Sequence, residues 1–135
     1  MAIVGFNLLK MSVERKEAIE GEIKVNSNAD ISDIKKEKVE LVKGKETLRI
    51  SFEFSIVYEP DFAKIEFEGF VLLVEDKNKA DSLIKDWKKK KIDTAIKEQV
   101  FNLILRKCNI KAFSLEEDLN LPTHFPLPRL KSEQK

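Results

Sequence analysis

An α+β domain with its strands first and its helices last is the fold class this sequence predicts. Two segments, 46–58 and 63–75, alternate apolar and polar residues, the period of strands with one buried and one wet face. From Ala80 onward the apolar spacing changes to three and four residues, the period of an amphipathic helix. After residue 119 three prolines fall within seven positions, at Pro122, Pro126 and Pro128, which forbids helix and favours an extended segment.

The elements follow in order. Residues 3–15 alternate loosely, with Val4, Phe6 and Leu8 on one parity and Leu9, Met11 and Val13 on the other. That pattern predicts a strand with a bulge or face switch near Leu8 and Leu9. Ile19, Gly21, Ile23 and Val25 form a short second run. Asn26 to Asp33 is rich in Asn, Ser and Asp and is expected to turn, with a weak apolar extension through Ile31, Ile34, Val39 and Leu41. In the strand 46–58, Leu48, Ile50, Phe52, Phe54, Ile56 and Tyr58 face one way and Arg49, Ser51, Glu53 and Ser55 the other. Pro60 marks the turn into an antiparallel partner, 63–75. There Ile65, Phe67 and Gly69 point inward, Glu66 and Glu68 outward, and 70–74 is apolar on both faces. Gly69 inside a strand predicts a bulge or the close approach of a packed helix.

Ala80, Leu83, Ile84 and Trp87 make a narrow helical stripe, and Lys88 to Lys91 follow where cations oppose the helix dipole favourably. Asp93 is placed to cap a second helix running to about residue 112. Val100, Phe101, Leu103, Ile104 and Leu105 leave this helix apolar most of the way round. Such a helix needs cover on a second side, and in so small a domain that cover is another subunit. Val100, Phe101, Ile104, Leu105 and Cys108 are accordingly the expected oligomer interface.

The chain has 135 residues, which suits one domain, expected over 1–130 with a polar tail at 131–135. Hydrophobic residues at 42% exclude wholesale disorder, and a net charge of +1 gives no global field toward nucleic acid or membrane. The single cysteine, Cys108, excludes an internal disulfide, which favours a reducing compartment. With no basic leader ahead of an apolar run and no membrane-length apolar stretch, the expected address is the cytoplasm.

Candidate chemistry is sparse. His124 is the only histidine, so no histidine-based metal site forms in one chain, and no metal or cofactor is expected. Cys108 is expected to be a small buried hydrophobe, because a pairing with His124 lacks a third orienting group. His124 is expected to serve as a turn or packing residue. Four scattered glycines make no phosphate cradle. Glu66 and Glu68 belong to an exposed sheet face, and no catalytic constellation is expected. The lysine run lacks interleaved aromatics and reads as a solvated helix end. What remains is surplus apolar surface, the mark of an interface or binding groove.

The order of elements resembles the SecB family of cytosolic protein-export chaperones over roughly residues 6–130. The resemblance rests on Met11-Ser12-Val13-Glu14, Ile23-Lys24-Val25-Asn26, Leu48 to Val57, Ile65-Glu66-Phe67-Glu68-Gly69-Phe70, the helix 93–112 and Leu119-Asn120-Leu121-Pro122. It implies a four-stranded antiparallel sheet with two C-terminal helices packed on one face. It also implies a homo-oligomer, a dimer of dimers, whose apolar grooves hold unfolded or non-native polypeptides without nucleotide. Phe113, Leu119, Leu121, Phe125 and Leu127 are the expected groove residues. Two departures stand out: Pro126 and Pro128 replace the family's additional C-terminal helix, and the Arg15-Lys16-Glu17 loop is highly charged where the family's crossover is apolar. Glu66 and Glu68 do not match the family's site for its export motor, so no motor partner is predicted. The competing readings are an adaptor or toxin–antitoxin chaperone with one partner and, from a different class, an RNA-binding module using Lys88 to Lys91.

Overall fold

The computed structural model describes residues 2–18 and 21–125. The expected tail, including Pro126, Leu127, Pro128 and residues 131–135, lies outside the described residues, as does Ile19. Four strands are followed by two helices: β1 (Ala2–Arg15), β2 (Lys24–Glu37), β3 (Glu46–Glu59), β4 (Ala63–Glu75), α1 (Lys77–Lys88) and α2 (Thr94–Asp118). The sheet order is β1-β4-β3-β2 and every neighbouring pair is antiparallel. The hairpin β3–β4 is therefore central, and the chain passes from one sheet edge to the other between Arg15 and Lys24.

The alternation of β3 and β4 is realised in their burial. Leu48, Ile50, Phe52, Phe54, Ile56 and Tyr58 are buried and lie in register with Leu73, Val71, Gly69, Phe67, Ile65 and Ala63. Together they floor one core under the helices. Each large side chain buried there contributes about 1.5–3 kcal/mol. α2 supplies Ile96, Val100, Ile104, Cys108, Ala112 and Glu116, a buried residue at every fourth position. Four residues advance the helix by roughly 400°, so such a stripe winds about 40° around the helix at each step.

Two expectations about element bounds are corrected. The turn expected over Asn26–Asp33 is the middle of β2, paired along its length with β3. Asn26, Asn28 and Asp30 sit opposite Val57, Ser55 and Glu53 on the outer face, while Val25, Ala29 and Ile31 sit opposite Tyr58, Phe54 and Phe52 on the core face. Polar residues on the wet side of an edge strand carry the same composition as a turn. The second helix runs on past residue 112 to Asp118, because Glu116 continues the buried stripe.

The bulge expected near Leu8 and Leu9 is present. Leu8 pairs with Gly69 and Lys10 with Glu68, leaving Leu9 unpaired and exposed. The close approach at Gly69 comes from the β1 backbone rather than from a helix: an added Cβ would lie 2.1 Å from the Asn7 carbonyl oxygen and 3.0 Å from Phe52 Cζ. The Phe52 ring thus covers the glycine, and it stacks on Phe6 of β1 with centroids 5.3 Å apart. No helix among the described residues is long and apolar enough to cross a membrane.

Candidate polypeptide-binding surface

Tyr58, Ala63 and Arg15 lie at one end of the sheet, where β3 and β1 end and β4 begins, and the C-terminal segment is tied down there. Beyond the α2 C-terminus, Asn120 takes a left-handed φ of 53° and turns the chain. The Arg15 guanidinium donates from Nη1 to the Leu119 carbonyl oxygen at 2.8 Å and lies over the Phe62 ring.

Beneath this turn lies a buried polar cluster. The Glu116 and His124 side chains are 0% and 2% exposed, with His124 Nδ1 3.0 Å from Glu116 Oε2. His124 Nε2 pairs with the Asn109 side-chain amide at 2.6 Å. The Tyr58 hydroxyl donates to the Glu116 carboxylate and sits 3.0 Å from the Pro122 carbonyl oxygen. A carboxylate inside an apolar core requires such partners. Burial, then the hydrogen bond to Glu116, raises the Tyr58 phenol well above its ordinary range, so it remains a donor. His124 is therefore more than a turn or packing residue: it joins the segment after α2 to the helix and, through Glu116, to β3.

Around this anchor the expected groove residues separate into different roles. The Phe113 and Phe125 rings lie 4.3 Å apart, and His124 stands edge-on to Phe125. Phe113, Glu116, Glu117, Asn120, Leu121 and Thr123 line an open pocket of about 520 Å³. Leu121 is 7% exposed and serves as floor, whereas Phe125 is 38% exposed. Leu119 is partly buried against the core. Leu127 lies outside the described residues.

The expected interface on α2 needs a larger correction. Val100, Ile104 and Cys108 are each 0% exposed in the subunit's own core, so they have no surface left to offer a partner. Their neighbours Phe101, half-buried, and Leu105, exposed, face away from that core, and Ile110 is 64% exposed. The lysine run is the exposed helix end expected, with Lys88 to Lys91 all exposed at and beyond the C-terminus of α1. Lys90 adopts a left-handed φ of 59°, and its ammonium lies 4.7 Å from the centre of the Trp87 ring.

Burial pushes the Cys108 thiol from 9.0 up to about 12, which keeps it neutral and inert. Above about pH 9 the unfolded chain has lost this proton while the folded chain retains it, so stability falls as pH rises toward 12. Tyr58 acts in the same direction. Two results are expected: a thiol-reactive disulfide reagent at pH 8 modifies Cys108 only as fast as the chain opens, and the urea midpoint is lower at pH 11 than at pH 8. Rapid labelling without urea contradicts this burial.

No protein-family model and no curated protein sequence matches the chain. Its fold is similar to a solved one, the Mycobacterium tuberculosis Rv1957 SecB-like chaperone in complex with a ChAD peptide from the Rv1956 HigA1 antitoxin. The superposition has a TM-score of 0.52 at 15% identity and covers 98% of this chain and 92% of that one. With its four-stranded antiparallel sheet and two C-terminal helices, the chain has the SecB-like fold.

Proposed function

We propose that this protein is an ATP-independent holdase that binds non-native polypeptide through apolar surface. The reading rests on one observation above all. The aromatic pair Phe113–Phe125 stands beside an open pocket floored by Leu121, on a segment anchored by buried hydrogen bonds. A fixed apolar shelf loses little entropy when a client binds. Each contact is weak, at about 25 cal/mol per Å² of apolar area, so a homo-oligomer, in the proposal a dimer of dimers, supplies affinity by multivalency. Phe101 and Leu105, neighbours one turn apart on one flank of α2, are the surface proposed for subunit contact. The cytoplasm is the setting in this reading, with the thiol of Cys108 kept reduced. A role in protein export is one use of such a holdase.

A second reading is favoured by the solved neighbour, whose complex is with an antitoxin peptide: the same surface serves one dedicated partner. Aggregation suppression separates them. Several unrelated unfolded proteins are diluted with stoichiometric amounts of this chain, without nucleotide, and light scattering is followed. The holdase suppresses scattering across clients, persists at high salt, and loses activity in Phe125→Ser. Suppression limited to one partner favours the dedicated chaperone. Binding that collapses with salt points instead to the lysine-based RNA reading.

A further inference from the structure

The outer face of the sheet carries an apolar feature that the core does not use. Glu68, Glu53 and Asp30 lie side by side across β4, β3 and β2, but toward the β2–β3 loop the face becomes apolar. There Phe70 and Leu72, with Val39 and Leu41 of the loop, line a pocket of about 230 Å³ with Thr47 and Arg49. The loop, residues 38–45, has a built turn: Gly44 takes a φ of 79°, its N–H donates to Glu40 at 2.7 Å, and Lys45 N–H donates to the Val42 carbonyl at 3.0 Å. Yet it exposes Val39 at 60%, Leu41 at 49% and Val42 at 42%.

A second observation lies beneath it. Among the described residues, two buried side-chain atoms have no hydrogen-bond partner in the chain, Thr47 Oγ1 and Arg49 Nε, and both belong to this pocket. Thr47 is 2% exposed. The Arg49 guanidinium lies 3.8 Å from the Phe70 ring centre and reaches Glu37 through Nη1 at 3.4 Å, which leaves Nε free. Buried polar groups without partners are rare and costly. Here they sit beneath a loop whose aliphatic side chains face water, so the closed arrangement leaves both kinds of group unsatisfied.

We propose that the loop 38–45 is a flap over a docking site for an extended apolar polypeptide segment on the outer face of the sheet. The occupant follows from the chemistry. A peptide unit offers a carbonyl to the Arg49 Nε–H and either a carbonyl or an N–H to the Thr47 hydroxyl, while its large side chain fills the space between Phe70, Leu72, Val39 and Leu41. The acidic row beyond limits the segment to a few residues. This site is separate from the Phe113–Phe125 shelf, and it rests on the reading that the chain binds polypeptide.

The test uses the whole chain and an acetylated, amidated ten-residue peptide with a central leucine–phenylalanine–leucine run. On titration, the Arg49 Nε–H resonance and the amides of Phe70 and Leu72 are expected to shift. Thr47→Val keeps the shape and removes the unpartnered hydroxyl. It is expected to weaken peptide binding by about tenfold, the worth of one hydrogen bond, while leaving the Tm unchanged or raised. Lowered Tm in Thr47→Val overturns the proposal, because the hydroxyl then has a structural partner. Shifts confined to the Phe113 and Phe125 end, with affinity unaltered in Thr47→Val, overturn the flap site and leave the holdase reading intact. Dimerisation through this face, seen as loss of the peptide shifts with rising protein concentration, assigns the pocket to a second copy and overturns the peptide occupant. If neither this peptide nor any unfolded protein binds, both readings fall.

Discussion

Replacing Gly69 by alanine is expected to destabilise the chain by about 3 kcal/mol, near the top of the range for overpacking a core. The cause is backbone rather than side chain. The new Cβ would sit 2.1 Å from the Asn7 carbonyl oxygen, and its other close neighbour is the Phe52 ring at 3.0 Å. A ring relaxes by rotation, but the Asn7 carbonyl belongs to the β1 backbone paired with β4, and it moves only if the strand moves. Gly5 provides the control: its added Cβ meets nothing nearer than Leu72 Cδ1 at 3.4 Å. Gly5→Ala should therefore be neutral or stabilising by about 0.5 kcal/mol through the unfolded state. Urea unfolding compares the two. Hydrogen exchange in Gly69→Ala should show β1 amides losing protection before those of β3. A Gly69→Ala protein as stable as Gly5→Ala contradicts the packing described.

That glycine illustrates how far the sequence could be read. Its strand, its inward parity and the bulge across from it are all visible as period-two alternation, because the middle of β3 and β4 is buried on one face and the pattern follows burial. The partner at Gly69 was not visible, since sequence order does not tell which strand lies beside β4. The middle of β2, Asn26 to Asp33, reads as a turn because it is an edge strand, with Asn26, Asn28 and Asp30 on its wet side. The surplus apolar residues of α2 read as an interface until the stripe at every fourth residue is separated from its neighbours. Val100, Ile104 and Cys108 belong to the stripe and are consumed by the subunit's own core, while Phe101 and Leu105 do not. Extending the same stripe from Cys108 through Ala112 reaches Glu116, so the one signal for the buried carboxylate was present. Its partners Tyr58 and His124 come from distant parts of the chain, and only folding brings them to it.

The largest effect at the candidate site is expected from breaking that carboxylate's pairing. His124→Ala leaves Glu116 fully buried with the Tyr58 hydroxyl as its remaining side-chain partner, and removing one member of a buried pair costs about 3 kcal/mol or more. His124→Phe keeps a ring against Phe54, Phe113 and Phe125 and separates the lost hydrogen bonds from the lost packing. Replacing both ends, Glu116→Leu with His124→Phe, removes the buried carboxyl group together with its partner. The double variant should regain most of the stability lost in His124→Phe alone, because replacing both partners of a buried hydrogen bond by apolar groups of similar shape is often nearly neutral. The cycle is read by urea unfolding, and additive losses would sink the pairing. The same variants bear on function. The Phe113–Phe125 shelf depends on the segment that His124 anchors, so His124→Ala should lose client binding even at temperatures where the sheet and helices remain folded. The double variant, anchored by packing, should retain it. Binding that survives in His124→Ala places the client elsewhere on the molecule.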